Sequence, residues 1–351
     1  MPELVVIAEQ LLAPVPGGTG RYTAELLRAL AATAPAGWEV SSVVARRADV
    51  SGARIEGVAG PRVLPLPPRA LVGAWQLGVP YWPGGDAVHA PTPLAPPRGR
   101  VSVTVHDTVP WTHPETLTPR GVTWHRSMIG RAARRAAGLL VPTQAVADDL
   151  ARHVRTEVPV RVAGHGVTAA LGSGKTDLDL PERYVLAVGT IEPRKGIDTL
   201  IEAMAELDVP LVVAGQPGWG GLDPVALAGG RVDVRVLGRL PDEDLGAVLR
   251  RAAVLATPSL AEGFGLPVLE AMAAGVPVVH SDAPALVEVA GGAGLCVPRR
   301  EVKALVRALR EVLGSPERAA ALAGAGRARA AEFSWRNAAE AVWGIHMQAE
   351  L

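Results

Sequence analysis

The feature that most constrains this chain is a rhythm that occurs twice along it: short Val-rich runs alternate with longer stretches of Ala, Leu and Arg. Apolar runs of this length suit parallel strands buried on both faces, and the longer stretches suit the helices that cover those faces. In the first half the pattern predicts strands at Leu4 to Ala8, Glu39 to Ala45, Arg62 to Leu66, Ala87 to Ala90, Val101 to His106 and Leu139 to Pro142, with helices at Gly20 to Ala32, Arg120 to Ala137 and Ala145 to Val154. In the second half it predicts strands at Tyr184 to Gly189, Leu211 to Ala214, Val232 to Leu237, Val254 to Thr257 and Pro277 to His280. Helices are expected from Gly196 and at Asp242 to Ala252, Leu266 to Ala274, Val302 to Leu313 and Arg318 to Ala331. The class is α/β.

Between the two series, Val167 to Pro181 carries three breakers, Gly172, Gly174 and Pro181, and no apolar period, so it reads as a linker. A length of 351 residues suits two domains. The expected division is 1–170 and 171–332, with 333–351 as a closing helix that packs back toward the N-terminal domain. Two doubly wound sheets joined in this way leave a central cleft, where such folds place ligands.

Composition narrows the partners. Lys plus Arg and Asp plus Glu are both 35, so no global field favours nucleic acid, and none is expected as a partner. The lone cysteine, Cys296, fits a reducing compartment. The first apolar run is too short for a signal peptide, and no run approaches the roughly 18 apolar residues of a spanning helix, so the expected location is cytoplasmic.

The chemistry concentrates in Glu262-Gly-Phe-Gly-Leu-Pro-Val-Leu-Glu270, which follows a predicted strand and opens a predicted helix. Pro267 suits a first helical turn, while Gly263 and Gly265 permit close backbone approach. Free amides at such a start form an anion site. Glu270, one turn in, leans back toward those amides and can clamp vicinal ribose hydroxyls; Glu262 can reach a sugar hydroxyl beyond the phosphates. After another strand comes Thr190-Ile-Glu-Pro-Arg194-Lys195-Gly196. Adjacent cations at the carboxyl end of a parallel strand can neutralise a diphosphate without a metal, Arg in bidentate fashion and Lys as a point charge.

These two segments resemble the "E-P-x-K-G" turn and the "P-S-x-x-E-G-F-G-L-P-x-L-E-A-M-A-x-G" block of family 4 retaining glycosyltransferases. The likeness extends to Gly17-Gly-Thr-Gly-Arg-Tyr-Thr-Ala-Glu25, Thr104-Val-His106-Asp107 and Phe333-Ser-Trp335, and so over nearly the whole chain. It implies the GT-B fold and transfer of a hexosyl group from a nucleotide-diphosphate sugar with retention at the anomeric carbon and no metal or other cofactor. Arg194 and Lys195 would hold the diphosphate, Glu270 the ribose and Glu262 the donor sugar. His106 would face the sugar from the N-terminal domain. Backbone from Gly263 through Phe264 and Gly265 to Leu266 would touch sugar and phosphate, and a nest of Gly17, Gly18 and Gly20 before its helix would approach the phosphates. The Gly215 to Gly220 loop and Arg239-Leu240 lie where the family binds the base. The run from His106 through Pro110 to His113-Pro-Glu115 is most similar to mannosyltransferase members that use GDP-mannose, with UDP- and dTDP-sugars as alternatives. The family's frequent Asn-Gly-Val-Asp is here His165-Gly-Val167-Thr168, and its Asp-x-Arg is here Glu9-Gln10, so the resemblance specifies the donor side more closely than the acceptor.

Two further patterns are set aside. Gly174-Lys175-Thr176 lacks the glycine that a P-loop needs at the position of Ala169, and Asp177-Leu-Asp179 reads as a solvated turn. Between Glu115 and Asp148 the only formal charges are Arg120, Arg126, Arg131, Arg134 and Arg135, a stripe suited to weak peripheral contact with anionic lipid. Competing functions are a catalytically silent homologue that binds a partner enzyme, and a GT-B epimerase or phosphorylase. The first would bind no nucleotide, the second would need no acceptor, and the third would release sugar 1-phosphate.

Overall fold

The computed structural model describes residues 1–172 and 174–347; Ser173 and the expected end of the closing helix at 348–351 lie outside them. The chain divides into two compact units, Met1–Gly166 with Ser334–Leu351, and Val167–Phe333.

The first unit holds β1 (Glu3–Ile7), β2 (Glu39–Val44), β3 (Ala59–Val63), β4 (Ala87–Ala90), β5 (Val101–Thr104), β6 (Gly138–Val141) and β7 (Val160–Val162). They form one sheet in the order β3-β2-β1-β4-β5-β6-β7, with every pair parallel. The second unit holds β8 (Val185–Val188), β9 (Leu211–Ala214), β10 (Val234–Gly238), β11 (Val254–Thr257), β12 (Val278–Ser281) and β13 (Leu295–Val297). Their order is β10-β9-β8-β11-β12-β13, again all parallel. In each sheet the order reverses beside the first strand, between β1 and β4 and between β8 and β11, which leaves a crevice at the carboxyl ends there. The central strands are buried on both faces: Val5, Ile7, Val88 and Val103 lie in one core, and Val185, Ala187, Val213 and Val254 in the other.

The first core contains a polar thread. Tyr22 Oη lies 2.8 Å from Thr104 Oγ1, which lies 3.4 Å from His89 Nε2; Ser102 Oγ bridges His89 Nδ1 and His346 Nε2 at 2.8 Å each. All five residues are buried. The thread joins the helix Gly17–Ala32, strands β4 and β5 and the final helix Trp335–Met347. Their mutual hydrogen bonds offset much of the cost of burying these groups, although His346 Nδ1 has no hydrogen-bond partner among the described residues.

Three expectations are corrected. The stretch read as a linker is partly folded: Leu171 and Leu180 are buried, and Arg250 of the helix Asp242–Arg251 donates to the carbonyls of Leu171 and Gly174. By its internal contacts the second compact unit runs from Val167 to Phe333. Gly18 and Gly20 are not a loop before their helix but part of its first turn, since the helix begins at Gly17. Strand β3 starts earlier than Arg62 and is mostly exposed, so its pairing with β2 left no apolar signature.

Candidate active site

A cluster of four charged side chains in the second unit sits beside the reversal of strand order. After β8 the chain makes a single 3-10 turn, Pro193–Lys195, and Gly196 closes it with a φ of 65° before the helix Ile197–Met204. A Cβ at Gly196 would fall 2.4 Å from the Pro258 carbonyl oxygen in the loop after β11. Glycine is thus needed both for the left-handed backbone and for the close approach of two loops. The Leu260 amide donates to the Arg194 carbonyl at 2.8 Å and ties those loops together.

Their side chains then converge. Lys195 Nζ lies 2.6 Å from Glu262 Oε1, and Arg194 Nη1 lies 3.4 Å from Glu262 Oε2. Arg194 also donates to the Ala261 carbonyl at 2.9 Å and to Glu192 Oε1 at 2.7 Å. Ser259 Oγ donates to Glu262 Oε1 at 2.8 Å, and Ser281 Oγ donates to the Ser259 carbonyl at 2.5 Å. The Glu262 side chain is only 9% exposed. Burial alone would push its carboxyl up, but Lys195 and then Arg194 outweigh that and hold it below the usual carboxylate range. A pocket at this point is lined by Gly189, Thr190, Lys195, Thr257 and Ser259.

The helix Leu266–Ala273 starts from Gly265, whose φ is 94° and whose Cβ would meet Leu286 at 2.4 Å. Glu270 is 2% exposed, so it is not a solvated helix acid. Phe264 and Leu266 are buried, Phe264 edge-on to Phe333 with ring centroids 5.6 Å apart. Of the segment Gly263 to Leu266, therefore, the backbone rather than these two side chains is what a ligand could meet. Arg239 and Leu240 follow β10, where Gly238 bridges Gly215. A Cβ at Gly215 would lie 1.8 Å from the Gly189 carbonyl oxygen, so the ends of β8, β9 and β10 meet through glycine. The loop after Gly215 is pinned by Ile191 N to Gln216 O and Gly218 N to Ile191 O, 3.0 Å each.

In the first unit His106 follows β5. Its Nε2 lies 2.7 Å from the Pro91 carbonyl oxygen, which can only accept, so Nε2 carries the proton and Nδ1 the lone pair in the neutral ring. Burial lowers its pKa, partly offset by that carbonyl and by Asp107, and the ring is neutral at pH 7. Tyr22 packs edge-on against it at 4.7 Å and 88°. Glu9 is engaged locally, accepting from the Ala45 amide and pairing with Arg47 at 2.9 Å.

The structure thus brings Arg194, Lys195 and Glu262 together, with Glu270 on the helix opened by the same loop, and places His106 with Gly17, Gly18 and Gly20 in the other unit. Three contributors were not singled out from sequence. Ser259 and Glu192 lie inside the two motifs and only their contacts reveal them; Tyr22 left no signal beyond its place in a helix. Among the described residues no group of three or more His, Cys, Asp or Glu could hold a metal ion.

Two family models match almost end to end: "Glycosyltransferase Family 4" over residues 16–171 and "Glycosyl transferases group 1" over 173–329. The chain belongs to the family 4, group 1 glycosyltransferases. It is 39% identical over 163 residues to O-antigen chain mannosyltransferase B of Escherichia coli, a stretch covering 44% of this chain and 43% of that protein. It is 36% identical over 176 residues to the MMP alpha-(1->4)-mannosyltransferase of Mycolicibacterium hassiacum, covering 47% and 43%. The matches thus span less than half the length of these relatives. Among solved structures, sucrose-phosphate synthase from Thermosynechococcus elongatus superposes with a TM-score of 0.75 at 22% identity over 99% of both chains. HepE of Anabaena, in complex with UDP-glucose, gives 0.73 at 18% over 100% of both. At these identities the likeness is one of fold, the GT-B type built on two Rossmann-like sheets.

Proposed function

We propose that the chain transfers a hexosyl group from a nucleotide-diphosphate sugar to an acceptor hydroxyl with retention, and that the donor is GDP-mannose. The observation that supports this best is the pair Arg194 and Lys195, held side by side where β8 and β11 part and matched to a buried carboxylate. Positive charge fixed at that point stabilises the diphosphate as the glycosidic bond breaks, without a metal. Glu270 takes the ribose, the amides from Gly263 to Leu266 take phosphate and sugar, and the Arg239-Leu240 and Gly215 to Gly220 segments border the base. Neutral His106, with its lone pair on Nδ1, accepts from a sugar hydroxyl. No side chain is assigned as a covalent nucleophile: the leaving phosphate deprotonates the acceptor on the same face. Orientation and electrostatics carry the rate.

The mannosyltransferase names of the two relatives support the sugar, and GDP follows from the motif resemblance. The HepE complex with UDP-glucose supports UDP as the second reading. Isothermal titration with GDP, UDP and dTDP in EDTA is the test. GDP is expected to bind most tightly and to need no metal; a preference for UDP rejects the base assignment, and loss of binding or of turnover in EDTA rejects metal independence.

We further propose a cytoplasmic location with weak contact to anionic lipid through Arg120 to Arg135. No described helix is long and apolar enough to cross a membrane. In the helix Pro119–Arg135, Arg120, Arg126, Arg134 and Arg135 are exposed, whereas Arg131 is turned onto the carbonyls of Trp75 and Gln76. Leu77, next in sequence, is 83% exposed and offers apolar surface beside them. Sedimentation with vesicles containing phosphatidylglycerol is expected to exceed that with neutral vesicles and to fall on raising salt. Equal sedimentation with both sinks the idea.

A further inference from the structure

We propose that Glu262 biases the site toward the intact nucleotide sugar and against the spent nucleoside diphosphate by exchanging its partners when the donor binds. The inference rests on the donor reading above and adds a role in substrate discrimination to it.

The two cations meant for a diphosphate are already engaged by carboxylates of this chain. Lys195 Nζ is 2.6 Å and Arg194 Nη1 is 3.4 Å from the Glu262 carboxylate, and Arg194 also meets Glu192 at 2.7 Å. Two positive and two negative groups sum to a neutral cluster. A diphosphate brought to Lys195 therefore competes with Glu262 and, if the carboxylate stays, sits beside a like charge in a poorly solvated place. Glu262 can withdraw only if other donors replace those cations, because a 9% exposed carboxylate has little water to turn to. Ser259 Oγ, 2.8 Å from Oε1, supplies one donor and holds the side chain near its place.

The remaining donors must come with the ligand. A nucleotide sugar brings hydroxyl groups, which donate, directly beyond its phosphates. A nucleoside diphosphate brings only acceptors at that end. The exchange is complete with the intact donor, phosphate taking the cations and hydroxyls taking Glu262. It is incomplete with the nucleoside diphosphate, which leaves Glu262 either competing for Lys195 or short of partners. Once the sugar has been transferred, Glu262 reclaims Lys195 and favours departure of the product.

Titration calorimetry of wild type, Glu262→Gln and Lys195→Gln/Glu262→Gln with inorganic pyrophosphate, nucleoside diphosphate and nucleotide sugar tests this. Glu262→Gln keeps the shape and the Ser259 contact but releases the cations. It is expected to bind pyrophosphate and nucleoside diphosphate about tenfold or more tightly than wild type, with a smaller gain or a loss for the nucleotide sugar. The double variant should lose the gain. Thermal melts check folding; should Glu262→Gln not fold, Glu262→Asp, which draws the carboxylate back by one methylene, is expected to shift in the same direction by less. No tightening for pyrophosphate in a folded variant overturns the proposal, as does equal tightening for nucleoside diphosphate and nucleotide sugar. A folded wild type that binds no nucleotide sugar while the pyrophosphate gain persists would overturn the donor reading and the discrimination with it, leaving only the ion-pair exchange.

Discussion

Replacing Lys195 by Ala is expected to lower kcat by about a hundred- to a thousandfold, the usual scale for removing one group that stabilises charge developing in a transition state. The expectation follows from its position. Lys195 is fixed by a 3-10 turn at the end of β8, its neighbour Gly196 allows the loop after β11 to close against it, and its ammonium faces the line along which phosphate must lie in the proposed complex. The fold should survive, because Glu262 keeps Ser259 Oγ at 2.8 Å and Arg194 at 3.4 Å. A second readout separates charge from packing. The Glu262 carboxyl is held below its ordinary range first of all by Lys195, so its ion pairs stabilise the protein above that range and are lost as pH falls through the folded pKa. Lys195→Ala should move that loss to higher pH. Lys195→Arg should not restore the rate, since a planar fork does not occupy the place of a compact ammonium. Normal turnover by a folded Lys195→Ala enzyme refutes the diphosphate role.

What could be read from sequence, and what could not, follows from where information is stored. Strands β4, β9 and β11 are central, buried on both faces, and fall at the residues where the Val-rich runs predict them. The edge strands β3, β7 and β13 have at least one exposed residue or only half-buried ones, so they carry no such run and were displaced or absent in the expectation. Residues 167–181 resemble a linker in sequence because a segment of irregular backbone has no period. Tertiary contacts show part of it to be folded: the burial of Leu171 and Leu180, the approach of Gly246 to the Leu171 backbone, and the Arg250 hydrogen bonds to Leu171 and Gly174. In the candidate site, Arg194, Lys195, Glu262 and Glu270 were legible because the chemistry needs those residue types next to strand ends. That Glu262 neutralises the two cations was not legible, because sequence separation hides a contact across 67 residues. The expectation gives the acid to the sugar and the bases to phosphate; the structure pairs them with each other.

The last expectation concerns stability in acid. The first unit should lose stability steeply below pH 6, because the histidines of its polar thread are held neutral. Burial pushes His89 and His346 down to about 3, with His346 and His106 adding repulsion at His89 and Arg100 adding it at His346. The sign follows from proton counting. With an ordinary value of 6.5, the unfolded chain takes up protons below pH 6.5 that the native state refuses, so stability present above 6.5 drains away as pH falls toward 3. At pH 5 each of these two histidines costs about 2 kcal/mol, roughly 4 kcal/mol together, against a total stability of about 5–15 kcal/mol for a typical domain. His106, half-buried, and buried His165 are lowered as well and act in the same direction. All tryptophans except Trp219 lie in the first unit, so intrinsic fluorescence followed from pH 7 to 4 reports on it. His346→Gln, which retains a side chain able to meet Ser102 but does not titrate, should move the midpoint to lower pH, provided its melt at pH 7.5 shows it folded. A wild-type protein whose fluorescence and thermal midpoint stay unchanged down to pH 4.5 would show that the thread is already charged or solvated rather than closed and neutral.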